Sequence, residues 1–165
     1  MIKPYRFSPI DLILVLFTCI ATNIHAQHKP AVYKINDLLL RIQNNSDTVY
    51  IVNFWATWCK PCVAELPEFE KIDKEYKNKA VKIILVSLDF KEDVKNKLIP
   101  FIKKNKYAAE VVVLDEIDGN SFINKIDKGW SGAIPATLFR KQGKQNFIEK
   151  KLNYEDLTKQ VLTYL

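Results

Sequence analysis

Cys59 and Cys62, three positions apart, are the side chains of this chain best suited to chemistry. A strand-like run, Val49-Tyr50-Ile51-Val52-Asn53-Phe54, precedes them, and a helix-like run from Val63 to Lys77 follows. A thiol at a strand-to-helix junction faces the first backbone N–H groups of the helix, which have no partner within it. Those groups and the helix dipole favour negative charge. Cys59 is therefore expected to ionise more easily than a free thiol, and the thiolate is the nucleophile. Cys62, one turn further on, is placed to close a small disulfide ring. Read from the residues, the pair is a redox dithiol.

Three blander readings compete. Half of a zinc site would need two more ligands, and beyond residue 27 the chain offers no other Cys and one His, His28. A purely structural disulfide would close so short a loop that it gains little chain-entropy stabilisation. A haem attachment site needs Cys-x-x-Cys-His, and residue 63 is Val.

The 165 residues fit one domain, and 48% hydrophobic with 27% charged residues is the composition of a globular core with a solvated surface. The N-terminus differs from the rest. Lys3 and Arg6 precede the apolar stretch Leu12 to Ala21, and Ile24-His25-Ala26-Gln27 follows. This is the layout of a secretory signal peptide over residues 1–26, cut after Ala26. The apolar run is about ten residues where a spanning helix needs roughly 20, so a retained membrane anchor is the weaker reading. Leu16-Phe17-Thr18-Cys19 faintly resembles a lipoprotein box, with an unfavourable Thr before the Cys. Cleavage after Ala26 would remove Cys19 and leave residues 27–165 with the Cys59–Cys62 pair alone. An exported domain without stapling disulfides but with one adjacent dithiol reads as a protein that handles disulfides.

The net charge of +6 falls to +5 without residues 1–26. The lysines are interleaved with acids, as in Lys71, Asp73, Lys74, Glu75, Lys77 and Lys79, which reads as a solvated helical face. No dense basic stripe argues for nucleic acid.

The elements that must hold the dithiol follow from periodicity and punctuation. Helices are expected over Ile35 to Gln43 with Asn36 as N-cap, Val63 to Lys77 with a kink at Pro67, Glu92 to Lys104 bent or split at Pro100, a turn over Asn120 to Ile126, and Tyr154 to Leu165. Strands are expected over Thr48 to Trp55, Val81 to Phe90, Val111 to Leu114, and a hairpin of Ala136 to Arg140 and Gln145 to Glu149 around Gly143. Asn44-Asn45-Ser46-Asp47 is a turn cluster. Strands alternating with helices predict an α/β fold, a mixed sheet with helices on both faces. Cys59 then sits at the carboxyl end of a central strand, where open α/β sheets place their sites.

The run Asn53-Phe54-Trp55-Ala56-Thr57-Trp58-Cys59-Lys60-Pro61-Cys62-Val63-Ala64-Glu65-Leu66-Pro67, with Gly132-Ala133-Ile134-Pro135-Ala136-Thr137 just before a strand, resembles the thioredoxin-fold thiol–disulfide oxidoreductases. Within them it is most similar to the exported TlpA/ResA-type branch, over about residues 30 to 165. The resemblance implies a thioredoxin fold and an attack by Cys59 on a partner disulfide that Cys62 then resolves, through a mixed disulfide. It implies that Ile134–Pro135 is a cis peptide, and that Trp58, Ile134 and Pro135 line the substrate site. Trp130 is either a further part of that rim or a packed loop aromatic. Glu65, three residues after Cys62, shares its helical face. It reads either as a surface acid at a helix N-terminus or, as the resemblance implies, as the proton partner of the dithiol. Asn53 stands where cytoplasmic thioredoxins carry a buried acid, and an amide transfers no proton at neutral pH. Phe90 to Trp130 matches a variable insertion.

The chemistry expected is therefore that of an exported, periplasmic thiol–disulfide oxidoreductase, probing protein thiols and disulfides with its own cysteines and with no metal or organic cofactor. Its electrons are expected from a membrane thiol-transfer protein, and its direction as reduction of substrate disulfides. Two rivals are kept. A thiol peroxidase of the same fold would want Thr a turn before its Cys and a nearby Arg, whereas residue 56 is Ala. A non-catalytic metal- or protein-binding module of the same fold would want a distal His for copper, and none follows His28.

Overall fold

The computed structural model describes residues 29–43 and 47–165. The expected leader over residues 1–26 with Cys19, and most of the turn cluster at Asn44-Asn45-Ser46, lie outside the described residues. Among the described residues no helix is long and apolar enough to cross a membrane.

The elements run β1 (Ala31–Tyr33), α1 (Ile35–Ile42), β2 (Val49–Trp55), α2 (Lys60–Glu75), β3 (Val81–Ser87), α3 (Lys91–Asp93), a π-helical stretch (Val94–Leu98), α4 (Ile99–Asn105), β4 (Glu110–Leu114), a 3₁₀ turn (Gly119–Ser121), α5 (Ile123–Ile126), β5 (Ala136–Lys141), β6 (Lys144–Ile148) and α6 (Tyr154–Leu162). Six strands form one sheet in the order β1-β4-β3-β2-β5-β6. The first four are mutually parallel, and β5 and β6 join antiparallel. The mixed, helix-covered sheet expected from the sequence is present, with β2 between β3 and β5.

Alternation along β2 assigns its side chains to two layers. Val49, Ile51 and Trp55 point into a core built with Leu66, Phe69 and Ile72 of α2 and Leu157 and Val161 of α6. Val52 and Phe54 point the other way, against Leu38 and Ile42 of α1 and the aromatic residues Phe122 and Trp130. Asn53 shares the parity of Ile51 and Trp55, so a polar side chain enters the α2 layer. Phe69 is fully buried in that layer. Phe69→Ala is expected to lower stability by about 3–5 kcal/mol, the usual cost of emptying an aromatic site in a core. Urea denaturation of the oxidised protein measures it, and a loss under about 1 kcal/mol would mean the layer collapses around the gap.

Several boundaries differ from the sequence expectation, each for a local reason. α1 begins at Ile35 with Lys34 in the cap position and no side-chain cap. Asn36 is already helical, and its Oδ1 accepts from Lys125 Nζ at 3.2 Å. α2 runs unbroken through Pro67. Around Pro100 the adjustment comes earlier, as five π-helical residues before α4. Proline has no N–H, and its ring would clash with the carbonyl four residues back, at Asn96. Widening the preceding turn relieves that clash. The hairpin turns on Gln142 and Gly143, whose φ values are +48° and +83°. Two consecutive left-handed residues are what a two-residue hairpin loop with the twist of its strands requires.

Candidate active site

Cys59 lies at the carboxyl end of β2 and caps α2. Its backbone is extended, and its Sγ accepts the N–H of Cys62 at 3.3 Å. Pro61 occupies the first turn, where a missing N–H costs no hydrogen bond. The two cysteines are joined as a disulfide with Cα atoms 5.3 Å apart. Cys59 keeps 6% of its surface exposed and Cys62 none, so an incoming sulfur has access to Cys59 alone. When the bond is reduced, a Cys59 thiolate in this position accepts the same N–H and sits on the positive end of a 16-residue helix.

The Gly132–Pro135 loop closes over the dithiol. The Ile134–Pro135 peptide is cis, and the Ile134 carbonyl oxygen lies 3.7 Å from Cys59 Sγ. Ile134 is half-buried between the two core layers, Pro135 is buried, and Trp58 is 56% exposed beside the cysteine. Sulfur, apolar rim and a backbone acceptor thus share one face. Trp130 does not join the rim. It is 4% exposed, and its ring centroid lies 4.9 Å from that of Phe54 and 5.5 Å from that of Phe147. Its Nε1 donates to the Ala133 carbonyl at 2.8 Å, so it braces the loop from below.

Glu65 is not a surface acid. It is fully buried one turn beyond Cys62 on α2. Its Oε1 accepts from Asn53 Nδ2 at 2.8 Å and its Oε2 from the Leu152 N–H at 2.7 Å. Asn53 also donates to Thr137 Oγ1 at 3.1 Å across the β2–β5 register. Burial pushes the Glu65 carboxyl up to about 7, against the opposing pull of the Leu152 N–H, the Asn53 amide and the Lys151 charge. Residues three apart on a helix are neighbours. A buried carboxyl pushed up to about 7 therefore shares a helical face with the buried cysteine of the pair.

Sequence reasoning did not find the Leu152 N–H that holds Glu65, the Thr137 hydroxyl that holds Asn53, or Asp89. Thr137 follows Pro135 by two residues, and only the strand register places it opposite Asn53. Asp89, just past β3, is 4% exposed and bonds to Thr57 of the loop that carries Cys59. Among the described residues, no three His, Cys, Asp or Glu side chains come together as a metal site. Among the described residues the arginines are engaged elsewhere. Arg41 is paired with Glu110 at the start of β4, and Arg140 stands opposite Tyr50 at the far end of β2.

The sequence profile of the AhpC/TSA family matches residues 31–139. A 49-residue stretch is 51% identical to the thiol-disulfide oxidoreductase ResA of Oceanobacillus iheyensis, covering 30% of this chain and 26% of that protein. A 63-residue stretch is 35% identical to sporulation thiol-disulfide oxidoreductase A of Bacillus subtilis, 38% of each. The matched stretches span about a quarter to two fifths of the length of these curated relatives. Among solved structures, the thioredoxin-related protein from Neisseria meningitidis serogroup B is similar over 74% of this chain and 89% of its own, with a TM-score of 0.63 and 26% identity. StoA from Bacillus subtilis is similar over 72% and 85%, with a TM-score of 0.57 and 25% identity. With the profile running from β1 into β5, and solved thioredoxin-related structures following nearly three quarters of the chain, this protein has the thioredoxin fold and belongs to the AhpC/TSA family.

Proposed function

We propose that the protein is an exported thiol–disulfide oxidoreductase that reduces protein disulfides with Cys59 and Cys62. The observation that carries the reading is the position of Cys59: a helix-capping sulfur, the accessible one of the pair, facing the Ile134 carbonyl across the proline loop. The named relatives, thiol-disulfide oxidoreductases over the matched stretch, support the same class. The leader-like residues 1–26 support export to the periplasm, and a membrane thiol-transfer protein is the proposed source of electrons.

The reaction balances as follows. The Cys59 thiolate attacks one sulfur of the substrate disulfide, and the other leaves as a thiolate that takes a proton from solvent. Cys62 then loses its proton to the Glu65 carboxylate and attacks Cys59, releasing the second substrate sulfur as a thiolate that takes a proton from solvent, while Glu65 returns its proton to solvent. The substrate gains two electrons and the enzyme ends as the Cys59–Cys62 disulfide. Trp58, Ile134 and Pro135 form the surface against which the substrate segment lies. The lack of arginine near Cys59 among the described residues weighs against a peroxidase, whose sulfur would need a charged partner to polarise a peroxide.

The test is the reduction potential of the leaderless protein equilibrated against defined thiol buffers. A value of roughly −250 mV or lower is expected for a reductant, near that of thioredoxin itself. A value near roughly −120 mV would mark a disulfide donor and reverse the proposed direction of electron flow.

A further inference from the structure

Among the described residues, Asp89 makes more bonds to the loop carrying the nucleophile than any other side chain outside it, and nothing in the reaction above uses it. Both its oxygens accept from the Thr57 N–H at 3.1 Å. Oδ1 also accepts from Thr57 Oγ1 at 2.5 Å, and Oδ2 from Ser87 Oγ at 2.7 Å. Its own N–H donates to Ser87 Oγ at 3.1 Å, which fixes the carboxylate on the end of β3. One residue earlier, the Leu88 N–H donates to the Trp55 carbonyl at 2.8 Å. The chain leaving β2 and the chain leaving β3 are thus held together one step past the sheet, and the clasp is a buried acid.

The clasp grips the chain two residues before Cys59. Consecutive Cα atoms are about 3.8 Å apart, so the Cα atoms of Thr57 and Cys59 lie within about 7.6 Å of each other. The Cys59 N–H donates to the Ala56 carbonyl at 3.1 Å, so the intervening chain is a tight turn. That turn is what places Cys59 at the cap of α2. It has no glycine and no proline to set its shape; besides its own Cys59–Ala56 bond, the Asp89 bonds to Thr57 hold it.

We propose that Asp89 is a positioning residue of the dithiol: it holds the Ala56–Cys59 turn so that the Cys59 sulfur caps α2, and its negative charge keeps the pair reducing. This role rests on the reading of Cys59 as the attacking sulfur. The electrostatic half follows from the change in charge between redox states. The disulfide is neutral, whereas the reduced pair carries a thiolate on Cys59. A fixed anion nearby disfavours the thiolate, and therefore disfavours the reduced form. For scale, two like charges of the order of 10 Å apart at an effective dielectric of about 20 repel enough to move an equilibrium by a factor of about 15. The positional half follows from the bonds themselves. The N-cap geometry offers the thiolate its helix N–H groups only while the turn keeps its shape.

The two halves separate in two variants. Asp89→Asn keeps an oxygen for the Thr57 N–H and hydroxyl, and presents an amide N–H to Ser87 Oγ, but removes the charge. Asp89→Ala removes charge and clasp together. In Asp89→Asn the equilibrium with dithiothreitol is expected to shift at least tenfold toward the reduced enzyme, about 30 mV less reducing. In Asp89→Ala insulin reduction is expected to be at least tenfold slower than in Asp89→Asn. Should Asp89→Ala fail to fold, Thr57→Val tests the clasp instead. It keeps the backbone N–H, loses the hydroxyl bond, and is expected to slow insulin reduction at least threefold. An Asp89→Asn potential within twofold of wild type in equilibrium constant would overturn the electrostatic role. Asp89→Ala, or Thr57→Val in its place, matching Asp89→Asn in rate would overturn the positional one. Failure of the parent reading looks different: the wild type itself would not reduce insulin.

Discussion

In the Cys62→Ser variant, reduction of a protein disulfide is expected to stop halfway, with the substrate covalently held on Cys59. Cys59 alone retains exposure, so it alone receives the incoming sulfur. Once the mixed disulfide forms, release depends on a second thiol in the right place. In the wild type that thiol is Cys62, three residues away with its Cα 5.3 Å from that of Cys59. A neighbouring nucleophile reacts with effective concentrations of the order of 10⁵ M or more, far above any external thiol. Turnover of insulin is therefore expected to fall at least 10³-fold in Cys62→Ser, while a species of enzyme plus one insulin chain accumulates on non-reducing electrophoresis. In Cys59→Ser turnover is expected to fall as far, with no adduct, because the remaining sulfur is fully buried. An adduct on Cys62 in the Cys59→Ser variant would reverse the order of attack. A purely structural bridge would give a third pattern, in which either variant loses stability but neither changes turnover.

The parts of this site that were legible in the sequence are those carried by local chemistry. The Cys-x-x-Cys spacing, the strand before it and the helix after it define the nucleophile without tertiary information. β2 could be read because it is apolar on both faces, as a central strand must be. The three-residue β1 could not, because an edge strand with two exposed residues has no period to detect. Glu65 shows where such reasoning ends. Its spacing from Cys62 gave the shared helical face, but whether that face is wet or dry is decided by other elements. Asn53 and the Leu152 N–H, 12 and 87 residues away, are what hold it in the interior. Asp89 was missed for a similar reason: a single acid after a strand looks like ordinary loop polarity until Thr57, 32 residues earlier, is found beneath it. Trp130 carried two readings in the sequence, and only its contacts with Phe54, Phe122 and Phe147 distinguish a brace from a rim.

Glu65→Gln is expected to remove two pH dependences at once, one in stability and one in rate. The carboxyl's ordinary value is 4.5 and burial raises it to about 7 in the folded protein. Below pH 4.5 both folded and unfolded chains hold the proton, and the protonated group's contribution is fully present. Between 4.5 and about 7 the unfolded chain has released the proton while the folded chain keeps it. Stability therefore falls as pH rises across that window, by roughly 3 kcal/mol in all, and levels off above it. Gln has no such window. The wild-type urea midpoint minus that of the variant, measured on the oxidised protein so that no thiol titrates, should fall steadily from pH 4.5 to 7.5. The rate moves in the opposite sense. Glu65 can accept the Cys62 proton only as the carboxylate, so resolution of the mixed disulfide should accelerate through about pH 7 in the wild type. The variant should lose that inflection and resolve of the order of 10²-fold more slowly at pH 8, the usual effect of removing a positioned base. A variant that is slower by the same factor at every pH would make Glu65 a packing residue. One that keeps the wild-type rate profile while losing the stability slope would move the proton acceptor elsewhere, since the buried carboxyl would then titrate without taking part.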